Sequence, residues 1–222
     1  MRVAFGNDFI YTILMLMSGH SVFREEESMK ALEDKIISEG IVYPGKVLKV
    51  GSFLNHQIDI RFMRLLAEEF YRRFQDEPIT KVLTVETSGI AVGYPVAELF
   101  GVPLLFAKKK RSANLADDCY SVAVTSYTHS TTYDVILEKK FLTGQDIVLL
   151  VDDFLANGCA LEGLLDLCEQ AGAKVVGAGI VIEKAFQNGG EKLRGRNLHI
   201  ESLARIADRD PETGIRFVQE EK

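Results

Sequence analysis

Apolar residues recur at helical spacing in the first third of the chain. Leu32, Ile36 and Ile37 share one face of a predicted helix that ends near Gly40. A second and more regular apolar face begins after Asp59, a suitable N-cap, and continues to residue 74 with charged residues opposite. The pattern predicts two helices, each with one buried side.

Short apolar runs then alternate with further helical patterns. The runs at residues 82 to 85, 103 to 107, 147 to 151 and 175 to 182 have the length and composition of strands. Residues 118 to 127 and 132 to 139 predict a two-stranded excursion, because apolar residues alternate in the second segment. The alternation of strands and helices predicts one α/β doubly wound domain over residues 29 to 222.

Composition excludes several classes of protein. The chain has 26 basic and 32 acidic side chains and a net charge of -6, so bulk charge does not favour binding to nucleic acid or to an anionic membrane. The longest apolar run is far shorter than the roughly 20 residues that a membrane span needs. Three cysteines without a CxxC pair favour neither a disulfide framework nor a zinc site, and they predict a cytoplasmic protein.

Residues 1 to 28 differ in pattern from the rest of the chain and are interpreted as an N-terminal extension. Residues 24 to 28 can be written with purine-rich codons that would form a bacterial ribosome-binding site before Met29. We therefore hypothesise that translation begins at Met29, which mass spectrometry would refute by detecting residues 1 to 28 in natively expressed protein. A signal peptide is less favoured, since only Arg2 is basic at the start. A flexible or docked extension is the other alternative.

Two adjacent carboxylates follow the most apolar predicted strand. Asp152 and Asp153 come directly after residues 147 to 151, at the end of a strand where ligands bind in open α/β sheets. The short loop after them leads to a helix N-terminus, whose free N–H groups suit a phosphate. Since carboxylates accept hydrogen bonds from sugar hydroxyls, the segment predicts a phosphosugar site. A Rossmann-type or P-loop variant and a simple helix cap are the alternatives, although GxGxxG and GxxxxGK[ST] are both absent.

This segment, VDDFLANG at residues 151 to 158, resembles the diphosphoribose-binding signature of the type I phosphoribosyltransferases. The chain is similar in particular to the bacterial enzymes of that family that act on xanthine, through KVGSFLNHQID (residues 49 to 59), ETSGIA (86 to 91), GIVIEKAF (179 to 186) and ESLARI (201 to 206). The resemblance covers essentially all of residues 29 to 222. It implies a central, mostly parallel sheet flanked by helices, with a small hood and a mobile lid.

The resemblance also implies the residues that bind 5-phosphoribosyl 1-diphosphate (PRPP). Its phosphate is expected at the loop formed by Ala156, Asn157, Gly158, Cys159 and Ala160. The wider superfamily often has Ser or Thr in this loop, whereas here no residue carries a hydroxyl, so backbone amides are left as donors. The diphosphate is expected at a second loop, which contains Thr87, Ser88 and Gly89.

Three residues are expected to take part in catalysis. Asp152 and Asp153 would hold the ribose hydroxyls and stabilise positive charge on the ring. Lys109 belongs to the polar stretch from residue 108 to 117, which the pattern alone would assign to solvated surface. The resemblance instead makes this stretch part of the lid, with Lys109 as a cation that meets the diphosphate.

The resemblance places the purine between two groups of residues. Leu48 and Asn55 lie on the N-terminal side, and Lys184 and Phe186 on the other. Asn and Lys can hydrogen-bond a 6-oxopurine and an aromatic ring can stack on it, but Phe186 fits a core position equally well. His56 is interpreted as a structural histidine.

The implied activity is purine salvage, in which ribose 5-phosphate passes from PRPP to N9 of xanthine and gives xanthosine 5'-monophosphate (XMP) and diphosphate. Mg²⁺ is expected on the diphosphate, held by substrate oxygens and water and not by a protein metal site. The family implies a homodimer, and neither nucleic acid nor membrane is an expected partner. Guanine or hypoxanthine as the base, and a non-catalytic PRPP-sensing regulator, are the alternatives; residues 1 to 28 show no helix-turn-helix pattern for the latter.

Overall fold

The computed structural model describes residues 25 to 43, 47 to 110, 118 to 126, 131 to 210 and 212 to 219. Most of the predicted N-terminal extension and residues 111 to 117 of the predicted lid lie outside these ranges. Within them the elements are α1 (Glu25–Glu39), β1 (Ile41–Tyr43), β2 (Val47–Lys49), α2 (Ile60–Phe74), β3 (Lys81–Val85), α3 (Ser88–Phe100), β4 (Leu104–Lys110), β5 (Cys119–Ser126), β6 (Thr131–Glu138), β7 (Ile147–Leu155), α4 (Cys159–Ala171), β8 (Lys174–Lys184), α5 (Gly189–Arg194), β9 (Ile200–Asp210) and β10 (Gly214–Phe217).

Eight of these strands form one sheet, in the order β10-β9-β8-β7-β3-β4-β6-β5. The five strands from β9 to β4 in that order are parallel, and antiparallel strands complete both edges. From β3 the chain continues to β4 on one side, and from β7 it continues to β8 and β9 on the other. The direction of winding therefore reverses between β3 and β7, which opens a crevice at the carboxyl ends of these two strands. The predicted α/β doubly wound architecture is confirmed.

The apolar run of β7 is buried on both faces. Leu149 and Val151 pack into the core that α2 and α3 cover, and Val148 and Leu150 pack into the core that α4 covers. Helix α2 begins as the sequence predicts, because the side chain of Asp59 accepts a hydrogen bond from the N–H of Phe62 at 3.1 Å. The predicted central strand is thus correct, and so are the predicted helical faces except at Ile37 and Ile60, which are 58% and 73% exposed.

Two strands extend further than the sequence predicts. Strand β7 was expected to end at residue 151, but its pairing with β8 continues to Leu155 opposite Glu183, while its pairing with β3 ends at Leu83 opposite Leu150. Past this point one edge of β7 is open to the crevice. Similarly, Lys109 lies in β4 and not in a loop, because β6 pairs with β4 as far as Lys110.

The N-terminal part forms a small hood beside the sheet. Strands β1 and β2 pair with each other in a separate two-stranded sheet, and a short π-helix, Gly51–Asn55, comes after them. Phe53 and Leu54 of this π-helix are buried in the core that α2 covers. In the part of the chain that the structure describes, no helix combines the length and the apolarity that crossing a membrane requires.

Candidate active site

The two predicted carboxylates lie at the crevice and are both buried. Asp152 is 6% exposed and Asp153 is 7% exposed. The backbone N–H of Asp153 donates to Oδ1 of Asp152 at 2.9 Å. The hood contributes Asn55, whose Nδ2 donates to Oδ2 of Asp153 at 2.5 Å, across 98 residues of sequence. The hydrogen bond from the hood fixes Asp153, while Asp152 lines the cleft beside it.

The buried position and the neighbouring carboxylate make a negative charge on Asp152 unfavourable. Burial, and then the neighbouring Asp153, raise the pKa of Asp152 well above its usual value near 3.8, while Lys109 acts in the opposite direction. Carboxylates in such a place gain from any positive charge that a ligand brings or develops. The pair therefore suits a reaction in which cationic charge appears on a bound sugar.

The loop after β7 has the geometry of an anion-binding turn. Gly158 occupies the N-cap of α4 with φ of 85°, a left-handed conformation that favours glycine. Residues 156 to 160 line a cleft of about 140 Å³ together with Asp152. The first N–H groups of a helix this long have no partner within the helix and can donate to a phosphate. The five predicted loop residues are thus brought together beside the carboxylate.

Helix α5 supports this loop from behind. A Cβ on Gly189 would lie 2.2 Å from the carbonyl oxygen of Ala156 and 2.6 Å from the backbone nitrogen of Gly158, so the two backbones touch. Helix α5 is itself held by Glu183, which is 2% exposed and accepts hydrogen bonds from both terminal nitrogens of Arg194 at 2.8 and 2.7 Å. The conformation of the loop therefore depends on a buried ion pair outside it.

The second predicted loop lies on the other side of the carboxylates. Helix α3 begins at Ser88, with Thr87 as its N-cap, and the peptide bond between Glu86 and Thr87 is cis. A Cβ on Gly89 would lie 2.1 Å from Oγ1 of Thr84 and 2.9 Å from Oδ1 of Asp152. Only glycine fits here without displacement, and the start of α3 thus forms one continuous wall with the carboxylate.

Lys109 faces the same region from strand β4. Its backbone N–H donates to Oε1 of Glu86 at 2.6 Å, and its Nζ lies 5.5 Å from the ring centre of Tyr133. Glu86 begins the segment ETSGIA, on which the prediction of the second loop rests. Tyr133 was not predicted as a site residue, because in the sequence it is one member of the alternating pattern of β6.

The residues predicted for the purine separate into two groups. Asn55 contacts Asp153, and the charge of Asp153 also acts on Lys184, whose pKa is lowered by burial and then by Arg209. Leu48 instead belongs to the apolar core, at 7% exposed. Phe186 packs against that core, with the guanidinium of Arg209 3.3 Å from its ring centre. The structure brings Asn55 and Lys184 towards the carboxylates, and base contacts of Leu48 and Phe186 stay predictions.

A family model decides the assignment. The model of the phosphoribosyl transferase domain matches residues 50 to 194, which include both loops and both carboxylates. The chain belongs to the phosphoribosyltransferase family.

Two relatives are matched over nearly their whole length. The xanthine phosphoribosyltransferase of Lachnoclostridium phytofermentans is 52% identical over 186 residues, 84% of this chain and 96% of the relative. That of Finegoldia magna is 52% identical over 178 residues, 80% and 94% of the two chains.

Solved structures show the same phosphoribosyltransferase fold. The adenine phosphoribosyltransferase from Rhodothermus marinus superposes with a TM-score of 0.65 over 80% of this chain and 98% of that chain, at 22% identity. At this identity the likeness concerns the fold and not the choice of base. The predicted type I phosphoribosyltransferase fold is confirmed.

The buried Asp152 of this phosphoribosyltransferase is expected to cost stability at neutral pH. Its folded pKa is raised, so the unfavourable contribution is absent below the unfolded pKa and grows as the pH rises through the folded pKa. Asp152→Asn removes the charge and is expected to increase the free energy of unfolding by on the order of 1 kcal/mol at neutral pH. Urea unfolding at about pH 7.5 and about pH 4 measures this, and the gain should shrink at the lower pH.

The matched control is Asp76→Asn, since Asp76 is exposed in the turn after α2. It should leave stability unchanged at both values of pH. A gain for Asp152→Asn that is equally large at both would contradict the assignment of the raised pKa.

Proposed function

We propose that this chain transfers the 5-phosphoribosyl group of PRPP to N9 of xanthine and forms XMP and diphosphate, in purine salvage. The observation that carries the proposal is the pair of buried carboxylates between two loops, each at the start of a helix, at the carboxyl ends of β3 and β7. The relatives named as xanthine phosphoribosyltransferases support the choice of base.

Each part of PRPP is proposed to bind in one part of the crevice. The 5-phosphate accepts hydrogen bonds from the backbone N–H groups of residues 156 to 160, and the diphosphate from those of residues 87 to 89. The ribose lies between them, with its hydroxyls donating to Asp152 and Asp153. Holding the sugar at both ends aligns C1 for attack by the base.

The chemistry then needs charge stabilisation and no protein nucleophile. As the bond from C1 to the diphosphate oxygen breaks, positive charge develops on the ribose ring, and the two carboxylates stabilise it at close range. Lys109, on the edge of the same crevice, is placed to offset the negative charge of the departing diphosphate. Cys159 has no catalytic role, because burial raises the pKa of its thiol and opposes formation of a thiolate.

Mg²⁺ is proposed to enter this site bound to the diphosphate of the substrate. Among the described residues no group of three or more His, Cys, Asp or Glu side chains could hold a metal ion, and Mg²⁺ commonly keeps several waters and binds through substrate phosphates. When bound on the diphosphate it would neutralise charge on the leaving group. In the crevice, Asp152 and Asp153 would offer carboxylate oxygens to the ion.

The base is proposed to bind between the hood and the end of β8. Asn55 offers an amide donor and acceptor there, and Lys184 offers a donor to an exocyclic oxygen of a 6-oxopurine. Nζ of Lys184 lies 5.0 Å from the ring centre of Phe154 and the residue is half-buried. A base that leaves a buried donor without a partner is disfavoured strongly. The homodimer and the cytoplasmic location remain predictions, which light scattering and cell fractionation would test.

A comparison of four bases tests the proposal. Nucleotide formation is measured with PRPP, Mg²⁺ and xanthine, guanine, hypoxanthine or adenine, each at the same concentration. We expect XMP to form fastest, with kcat/KM for the other oxopurines lower by about tenfold or more. Comparable rates with guanine or hypoxanthine would change the assigned base. Binding of PRPP without turnover of any base, together with binding of duplex DNA at low salt, would favour the regulator.

A further inference from the structure

The phosphate loop faces a second set of side chains across the cleft. Residues 156 to 160 carry no hydroxyl, and a phosphate monoester offers three oxygens that accept hydrogen bonds. The hairpin of β5 and β6 also lines this cleft of about 140 Å³, through Thr125 and Tyr133, and Tyr133 carries a phenolic hydroxyl. A hydroxyl donor, which the loop lacks, is therefore present at the cleft, but on a different element.

Packing of the hairpin on helix α4 explains how Tyr133 reaches this position. A Cβ on Gly163 would lie 2.6 Å from Cγ2 of Val124, so β5 lies directly on α4. Val124 and Tyr133 are register partners in the antiparallel hairpin, and register partners project to the same face. Tyr133 consequently projects towards α4 beside Val124, and its ring lines the cleft at the first turn of that helix.

The surroundings keep the phenol of Tyr133 protonated. Burial, and then the negative charge of Asp152, raise the pKa of Tyr133 above its usual value near 10. A protonated phenol donates a hydrogen bond, and donation to a charged phosphate is stronger than donation to a neutral acceptor. Lys109 covers the ring of Tyr133, so the positively charged side chain and the hydroxyl lie on the same wall.

We propose that Tyr133 binds the 5-phosphate of PRPP by donating a hydrogen bond from its hydroxyl, and so supplies the side-chain hydroxyl that residues 156 to 160 lack. The inference rests on the proposed function, because it takes the phosphate to be that of a 5-phosphoribosyl group. It makes the hairpin of β5 and β6 part of the substrate site and assigns Tyr133 as a binding residue.

Tyr133→Phe tests this, because the substitution removes only the hydroxyl and keeps the ring under Lys109. We expect KM for PRPP to rise about tenfold, as for loss of a hydrogen bond to a charged group, while KM for xanthine stays within about twofold. Ribose 5-phosphate carries the 5-phosphate without the diphosphate, and its dissociation constant, measured by calorimetry, should rise by the same factor. Inhibition by free diphosphate should stay as in the wild type.

Tyr120→Phe is the matched control. Tyr120 lies in the same hairpin and also has a lysine over its ring, with Nζ of Lys139 5.9 Å from the ring centre, but it packs against the core and is not among the residues that line the cleft. It should change none of the four quantities. Thermal unfolding of both variants checks that each is folded.

The outcomes separate this inference from the proposed activity. Wild-type affinity of Tyr133→Phe for PRPP and ribose 5-phosphate would overturn it, as would an equal loss for ribose 5-phosphate and diphosphate, which indicates general closure of the cleft. If the wild type turned over no base, the proposed activity would fail, yet weaker binding of ribose 5-phosphate to Tyr133→Phe would still support the phosphate contact. A wild type that binds neither PRPP nor ribose 5-phosphate would overturn both.

Discussion

Asp153→Asn is expected to lower kcat for nucleotide formation by about 100- to 1000-fold, the usual loss on removal of one preorganised group facing transition-state charge. The amide has the shape of the carboxylate and its oxygen can still accept the hydrogen bond from Asn55. The change therefore removes charge with little change in packing. Because Asp153 is buried, solvent cannot replace that charge. Initial rates with PRPP and xanthine at saturation measure kcat directly.

The control for this experiment is again Asp76→Asn, which removes an exposed carboxylate from the turn after α2 and should leave kcat unchanged. Ribose 5-phosphate should still bind Asp153→Asn, because the phosphate loop is intact. A value of kcat within about twofold of the wild type would show that Asp153 contributes little to charge stabilisation, and Asp152 would then be the residue that acts on the ribose.

Gly189→Ala is expected to reduce kcat/KM for PRPP by about 100-fold, although Gly189 lies behind the phosphate loop. Its new Cβ would lie 2.2 Å from the carbonyl oxygen of Ala156, a distance at which backbone must move. Displacing the loop misaligns the amides that hold the 5-phosphate. Overpacking of this kind also lowers the free energy of unfolding, by about 1 to 3 kcal/mol. Steady-state kinetics and urea unfolding of the same preparation give both numbers.

Gly144→Ala is the matched control for Gly189→Ala. The nearest atom to a Cβ at Gly144 lies 3.4 Å away, which is ordinary van der Waals contact. This variant should keep the kinetic constants and the stability of the wild type. If Gly189→Ala behaved in the same way, the loop would adapt to the side chain and its support by α5 would have no effect on binding.

Much of the fold was predictable because local signals agree with the tertiary structure. The apolar residues of β7 predict a strand buried on both faces, and Leu149 and Leu150 do pack into opposite cores. Because Asp152 and Asp153 follow these apolar residues directly, they were predicted at the carboxyl end of the strand. Where β7 ends was not predictable, because its last residues are held only by β8, and a partner strand leaves no signal in the sequence of β7 itself.

The parts of the site that were missed depend on contacts between distant segments. Tyr133 reaches the cleft through its register with Val124, and nothing in the alternating sequence of β6 shows what that register is. Phe186 illustrates the opposite case, since an aromatic residue at the end of an apolar run fits a stacking role and a core role equally well. Its packing against the core depends on residues distant in the sequence, and Arg209 of β9 lies over its ring.

The close approach of Gly189 to the phosphate loop also restricts how the two segments can change during evolution or design. No side chain separates the backbones, so a bulkier turn after β7 has no room unless α5 moves, and α5 is tied to Glu183 by Arg194. A side chain introduced at Gly158 would meet Leu193 and Gly189 of α5 at 3.1 to 3.5 Å, in a backbone conformation that favours glycine, and would need compensating substitutions in α5. The loop and α5 must therefore be changed together, and a relative that receives only one of the two segments is expected to lose the conformation of the loop.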